Sequence, residues 1–162
     1  MTEAPVLFTV YPGDCDTFGH LNQAAFLAYF ERARWQMLAG GPGMDLFERA
    51  GVWPAVRHAV IDYHAPAYPG HTLRFHLAVT RLGRTSFTMR QVARRESDDV
   101  LIATAESVFV CIDQTGGAVP VKDRLAPRLM TCQFTSDRMP GVVGSRSVSS
   151  TSCVSPSRSV SV

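Results

Sequence analysis

Residues 11–34 read YPGDCDTFGHLNQAAFLAYFERAR, and this stretch decides the fold. Its first part is a polar turn that contains glycine and two acids, Asp14 and Asp16. In its second part apolar residues recur with the helical period, which predicts a long helix that begins near Asn22 and stops at the glycines from Gly40 onward. Because apolar side chains cover most of its circumference, we expect this helix to be buried on several sides.

The remainder of the ordered chain has the character of strands. Alternating or β-branched segments occupy residues 6–11, 52–64, 72–80, 86–95 and 100–113. In the segment 86–95 the alternation of apolar and polar residues changes phase near Gln91 and Val92, which predicts a bulge there. Loops of hairpin length between the later strands require antiparallel pairing. We therefore predict an α+β domain in which a curved antiparallel β-sheet wraps around one long central helix.

Length and composition separate a domain from a tail. The 162 residues, 46% of them apolar, suffice for one domain with a sizeable core, which we place at residues 1–130. Residues 131–162 are rich in serine and lack any period, so we expect a disordered tail.

Charge and hydropathy exclude several classes of partner. Residues 1–130 carry equal numbers of basic and acidic side chains, so we expect no nucleic-acid partner. The chain has no apolar run of about 18 residues, which argues against a membrane span. Its N-terminus lacks a basic residue ahead of a hydrophobic stretch, so we expect a cytoplasmic protein.

The cysteines and acids give no pattern typical of a metal site. Four cysteines are scattered without a CxxC pair, which indicates reduced thiols: Cys15, Cys111, Cys132 and Cys153. Asp14, Asp16 and His20 lie close together in the sequence, but they are too few to form a ligand set, so we expect no bound metal.

The turn could nevertheless carry chemistry through Asp16. The first amides of a helix have no partner within the helix, and together with the helix dipole they stabilise negative charge. A carbonyl oxygen could develop negative charge there, while a carboxylate attacks the carbonyl carbon or activates a water. Gly19 would let a substrate approach the backbone closely. From the residues alone two interpretations stay open: an acyl-transfer site, or acids that only shape and cap the turn.

The motif DCDTFGHLN at residues 14–22, followed by FLAYFERAR at 26–34, resembles the signature of the hotdog-fold acyl-CoA thioesterases. The similarity is greatest to the 4-hydroxybenzoyl-CoA thioesterase-like branch and covers about residues 6–125. Weaker motifs resemble the family's later strands in the expected order: IDY at 61–63, PA at 66–67, PG at 69–70 and RLGRTSF at 81–87. The chain departs from the pattern at Gln23, Phe26 and His71, where the family commonly has Asn, Tyr and Asp.

This resemblance implies roles for particular residues. Asp16 matches the catalytic aspartate, which acts as nucleophile or general base on the thioester carbon. Gly19, His20, Leu21 and Asn22 match the helix start, whose backbone amides bind the substrate and polarise its carbonyl.

The resemblance also implies how the rest of the substrate is bound and how the subunits assemble. Arg84 and Ser86, in the motif at 81–87, are expected to bind substrate. Apart from the resemblance, arginines recur along this hairpin, and they could contact coenzyme A phosphates or only keep the strand edges solvated: Arg81, Arg84, Arg90, Arg94 and Arg95. No cofactor is expected, because coenzyme A is part of the substrate. The partner is expected to be a small-molecule acyl-CoA, and the assembly a homodimer or homotetramer.

Two alternative functions stay open. A hotdog-fold enoyl-CoA hydratase or dehydratase would use Asp16 and His20 together, whereas in a thioesterase His20 could simply shape the turn. The second alternative is a non-enzymatic acyl-CoA-binding protein with residues 131–162 as its regulatory part.

Overall fold

A computed structural model of the chain describes residues 5–41, 43 and 45–121. The predicted domain boundary near residue 130 and the predicted tail, residues 131–162, lie outside the described residues. The described elements are β1 (Val6–Thr9), a 3₁₀ turn (Pro12–Asp14), α1 (Gln23–Gly40), α2 (Leu46–Ala50), β2 (Trp53–Tyr63), β3 (Thr72–Leu82), β4 (Ser86–Arg95) and β5 (Leu101–Ile112).

The five strands form one antiparallel sheet in the order β1-β3-β4-β5-β2. Short connections pair β3 with β4 and β4 with β5, as the sequence predicts, and β1 and β2 occupy the two edges. The prediction of an α+β domain with one long helix on one antiparallel sheet is confirmed.

Helix α1 begins where its sequence predicts. Asn22 caps it, because the Asn22 side chain accepts a hydrogen bond from the amide of Ala24 at 2.8 Å. One face of α1 is buried and consists of Phe26, Tyr29, Phe30, Ala33, Met37 and Leu38. The inner side of β3 contributes Leu73, Phe75, Leu77 and Val79 to the same core.

The opposite face of α1 corrects one expectation. Leu27 is 53% exposed and Trp35 is 40% exposed, so within a single chain the helix is not buried on several sides. The sheet of one chain lies along only one side of α1, which leaves apolar helix surface open to solvent.

The bulge predicted near Gln91 and Val92 lies slightly further along the strand. Gln91 pairs in regular register with Leu77 of β3, and the register shift against β5 occurs between Ala93 and Arg94. The polar residue sits on the inner face because it has partners there. Its side-chain amide donates to the Phe30 carbonyl at 2.8 Å, and its oxygen accepts from Arg34 at 3.0 Å.

Strand β2 is an edge strand with little cover. Apart from Pro54 and Ile61, which are partly buried, all of its residues are exposed. It ends at Tyr63, and the segment that follows passes beside the start of α1. Neither helix within the described ranges has the length and apolarity that crossing a membrane requires.

Candidate active site

The turn ahead of α1 is closed by its own backbone. The amide of Asp16 donates to the carbonyl of His20 at 2.9 Å, and the amide of Gly19 donates to the carbonyl of Asp16 at 3.0 Å. Gly19 has φ +78°, a left-handed conformation that glycine adopts without steric cost. On either side, Cys15 and Leu21 form an isolated antiparallel bridge. These bonds fix the backbone that carries the Asp16 side chain.

The carboxylate of Asp16 uses only one of its two oxygens within the turn. Oδ1 accepts hydrogen bonds from the amides of Phe18 at 2.9 Å and His20 at 3.3 Å. Oδ2 accepts none from the described part of the chain. Asp16 is partly buried and lines a cleft, so its second oxygen is available to a ligand.

The amides that the sequence assigned to the substrate carbonyl are occupied. Those of Gly19 and His20 bond to Asp16, as described above. The amide of Leu21 donates to the carbonyl of Ala67 at 2.8 Å, and that of Asn22 donates to the carbonyl of Asp14 at 2.9 Å. All four donors are therefore engaged within the chain.

The unpaired amides lie one step further along, in the first turn of α1. Ala24 is capped by Asn22, but the amides of Gln23 and Ala25 make no hydrogen bond to any described residue. Gln23 also lines the cleft that Asp16 lines. The carboxylate of Asp16 and a residue of the helix start whose amide is unpaired thus line the same cleft.

The cleft has a volume of about 400 Å³ and is built from two stretches of chain. The turn and helix contribute Asp16, His20, Leu21, Gln23 and Phe26. The end of β2 and the segment after it contribute Tyr63, His64, Ala65, Pro66 and Ala67. The hydrogen bond from Leu21 to Ala67 joins the two stretches.

His20 lies in the cleft but does not pair its ring with Asp16. The imidazole packs edge-on against Tyr68, with ring centroids 5.2 Å apart. The hydrogen bond from His20 to the Asp16 carboxylate comes from the backbone amide and not from the ring. This arrangement favours the turn-shaping interpretation of His20 over its use as a proton-transfer partner of Asp16.

Several cleft residues were missed by the reasoning from sequence. His64, whose Nε2 lies 3.1 Å from the Thr104 hydroxyl, is one of them. The available signal was the position of His64 between the motifs at 61–63 and 66–67 that resemble the family.

Arg84 and Ser86 are not brought to this cleft. Arg84 is exposed in the β3–β4 hairpin, and its carbonyl accepts from the amide of Val121 at 2.8 Å. Ser86 begins β4, and its carbonyl accepts from the amide of Gly83 at 2.7 Å. Within one chain neither residue lines the cleft that contains Asp16.

The other groups near the turn are poor candidates for nucleophile or metal ligand. Burial raises the pKa of the Cys15 thiol, and the negative charges of Asp14 and Asp16 raise it further, so the thiol stays protonated at neutral pH. Asp14 accepts hydrogen bonds from the Tyr29 hydroxyl and the Tyr11 amide. Among the described residues there is no cluster of three or more His, Cys, Asp or Glu side chains suited to a metal ion.

Together, the antiparallel sheet and the long helix packed on it define the hotdog fold, and the cleft brings Asp16 and the start of α1 to one site. The chain belongs to the thioesterase-like superfamily, whose family model matches residues 10–129. This membership confirms the hotdog fold and the expected class of enzyme, a thioester hydrolase.

Similar proteins agree with this placement. The chain is 30% identical over 130 residues to the acyl-CoA thioester hydrolase YbgC of Escherichia coli O157:H7. The aligned region covers 77% of the chain and 90% of YbgC. It is 28% identical over 115 residues to the long-chain acyl-CoA thioesterase FadM of Escherichia coli K12, and the aligned region covers 70% of the chain and 87% of FadM. The crystal structure of YbaW, a probable thioesterase from Escherichia coli, superposes with a TM-score of 0.73 at 25% identity. The superposition covers 80% of this chain and 98% of YbaW.

Proposed function

We propose that this protein is an acyl-CoA thioesterase, which hydrolyses a thioester to a free acid and coenzyme A. The observation that carries the proposal is that Asp16, with one oxygen unbonded, lines the same cleft as Gln23, whose backbone amide is unpaired among the described residues. The similarity to YbgC and FadM, which are named as acyl-CoA thioesterases, supports acyl-CoA as the substrate class.

The chemistry follows from these two groups. The amide of Gln23 donates a hydrogen bond to the thioester oxygen as negative charge develops on it, and the dipole of α1 adds to this stabilisation. Oδ2 of Asp16 lies on the other side of the carbonyl carbon. It either attacks that carbon or removes a proton from an attacking water.

Both routes give the same products. In the first, an aspartyl–acyl anhydride forms as the C–S bond breaks, the thiolate takes a proton from solvent, and water then hydrolyses the anhydride. In the second, hydroxide derived from water adds to the carbon, and the thiolate leaves with the proton that Asp16 had accepted. The proposed reaction needs no cofactor beyond the coenzyme A of the substrate.

The remainder of the substrate extends beyond the cleft of one chain. Arg84 and Ser86 keep their proposed role in binding the coenzyme A part, which requires the hairpin of a second subunit, since neither residue lines the cleft of its own chain. The side chain of Arg84 is exposed and forms no ion pair with any described residue, so it is available to a phosphate.

The proposed assembly is a homodimer, or a homotetramer built from such dimers, in which β2 of one chain pairs with β2 of a second copy. Exposed apolar side chains on β2, including Val56 at 54% and Val60 at 46%, support this proposal. The strand also leaves one row of backbone groups without a sheet neighbour in the described part of the chain, which a second strand would satisfy.

The substitution Asp16→Asn tests the proposal. We expect the release of thiol from acyl-CoA to fall at least about a thousandfold in kcat, because the amide can neither attack nor accept a proton. The circular dichroism spectrum should be unchanged, since the oxygen that accepts from Phe18 and His20 is retained.

Asp45→Asn, which neutralises an exposed acid at the start of α2, is the matched control and should keep full activity. Unchanged turnover in Asp16→Asn would end the proposed mechanism. Saturable acyl-CoA binding by the native protein without thiol release would show a binding protein instead, and hydration of an enoyl-CoA at a greater rate than thiol release would show a hydratase.

A further inference from the structure

A buried tyrosine of α1 reaches the turn that holds Asp16. The side chain of Tyr29 is 2% exposed, and its hydroxyl lies 2.7 Å from Oδ2 of Asp14 and 3.1 Å from the carbonyl oxygen of Thr9. A distance of 2.7 Å is typical of a hydroxyl that donates to a charged carboxylate, a strong class of hydrogen bond.

The ring of Tyr29 is held firmly by its neighbours. Phe8 and Phe75 pack against it with ring centroids 5.5 Å and 6.3 Å away, and the guanidinium of Arg32 lies 5.2 Å from its centre. Burial raises the pKa of Tyr29, and the hydrogen bond to Asp14 raises it further, so the hydroxyl keeps its proton. Tyr29 is therefore a fixed donor.

Asp14 connects this donor to both ends of the turn. At the entry, Oδ2 of Asp14 also accepts from the amide of Tyr11 at 3.1 Å. At the exit, its backbone carbonyl accepts from the amide of Asn22 at 2.9 Å, and Asn22 is the cap of α1. Asp16 lies between these two attachments, so the position of its carboxylate relative to the start of α1 depends on where Asp14 is held.

We propose that Tyr29 and Asp14 form a positioning pair that sets the distance between the Asp16 carboxylate and the unpaired amide of Gln23. This inference rests on the proposed function, because it assigns the pair to the reaction that Asp16 carries out. Neither residue touches the substrate. Their effect is exerted through the turn, and it acts on the chemical step because small displacements of reacting groups lower rates steeply.

The test measures kcat and KM of a set of variants, with each rate expressed per mole of folded protein. Tyr29→Phe removes only the hydroxyl, and we expect kcat for acyl-CoA hydrolysis to fall about ten- to a hundredfold while KM is unchanged. Asp14→Ala removes the acceptor of the same hydrogen bond, and Asp14 is only partly buried. We expect the same fall in kcat. Asp14→Asn, which keeps an oxygen acceptor for Tyr29 and Tyr11, should restore most of the rate.

The double variant Tyr29→Phe/Asp14→Ala distinguishes positioning from general loosening. If the two residues act as one unit, the double variant loses no more in kcat than either single variant. Asp45→Asn, which removes one partner of an exposed ion pair at the start of α2, serves again as the control and should have the native kcat.

Native kcat in Tyr29→Phe or in Asp14→Ala, with Asp16→Asn inactive, would overturn the positioning pair and leave the proposed function intact. Additive losses, or equal losses in Asp14→Asn and Asp14→Ala, would overturn it as well. Activity in Asp16→Asn would instead refute the mechanism on which the inference rests.

Discussion

The ring of Tyr63, at the end of β2, packs edge-on against the ring of Phe26 in α1, with the two centroids 5.2 Å apart. Phe26 is buried, whereas Tyr63 is 51% exposed. Both residues line the cleft, so their contact forms an aromatic wall between the central helix and the edge strand. We expect this wall to limit the size of the acyl group.

Phe26→Ala should therefore change substrate preference. Removing the ring opens space in the cleft, and the ratio of kcat/KM for a longer over a shorter acyl-CoA should rise about tenfold. The free energy of unfolding should fall by about 3 kcal/mol, because a buried ring is lost. Phe87→Ala, which removes a buried ring stacked on Phe109 outside the cleft, should destabilise the protein without altering the ratio.

Arg84→Ala should weaken binding of the coenzyme A part alone. We expect KM for acyl-CoA to rise about tenfold, with kcat unchanged, because a phosphate contact contributes to binding but not to the chemical step. Thioesters of the same acids with N-acetylcysteamine lack the phosphates and should be hydrolysed at native rates. An equal effect on both substrate types would contradict the assignment of Arg84 to the phosphates.

The double substitution Val56→Lys/Val60→Lys should convert the protein to monomers. Self-pairing along β2 would bring the added cations of two copies together, whereas within a single chain position 60 lies opposite Glu106, an acid that accommodates a positive charge. Light scattering after size exclusion measures the mass, and activity should fall with it. A native mass in the variant would place the subunit contact elsewhere.

Protonation of His76 should destabilise the fold. Burial lowers the pKa of His76, and the positive charges of Arg74 and Arg94 lower it further, outweighing the opposite effect of Asp99 and Glu96. Its Nε2 accepts a hydrogen bond from Nε of Arg74 at 3.1 Å, which requires the neutral ring.

The sign of the pH dependence follows from this lowered pKa. As the pH falls, His76 is protonated first in the unfolded chain, near its ordinary pKa of about 6.5, and only at lower pH in the folded chain. The stability that is present above a pH of about 6.5 is therefore lost as the pH falls through the folded pKa. Urea unfolding at about pH 7.5 and about pH 5.5 should show a larger loss in the native protein than in His76→Gln. Equal losses would show that His76 does not contribute.

Local patterns predicted the fold well because they depend on nearby residues. The alternation of residues 72–80, the cap at Asn22 and the hairpin-length loops each follow from short-range chemistry, and the structure has all of them. The position of the bulge was predicted inexactly for the opposite reason. A polar residue such as Gln91 at an inward position breaks the apolar alternation of the sequence. Only the structure shows that Gln91 can be buried there, because it hydrogen-bonds to Phe30 and Arg34 of α1.

The site was predicted only in part, for similar reasons. The sequence could place Asp16 beside a helix start, but which amides stay unpaired depends on the distant carbonyl of Ala67 and on the carbonyl of Asp14. His64 was missed because it reaches the cleft only through the path of the chain after β2. No spacing rule within the turn contains that information.

The two stretches that build the cleft are held by different bonds. The turn around Asp16 is closed by its own backbone, whereas the segment after β2 is anchored to β5, where the amide of His64 donates to the carbonyl of Ile102 at 2.8 Å. Substitutions at Tyr63 or His64 therefore leave the bonds that hold the carboxylate intact. We therefore expect divergence among descendants of such a gene to alter acyl selectivity through Tyr63 and His64, and a combinatorial library limited to these two positions would sample new substrates while leaving the turn that holds Asp16 unchanged.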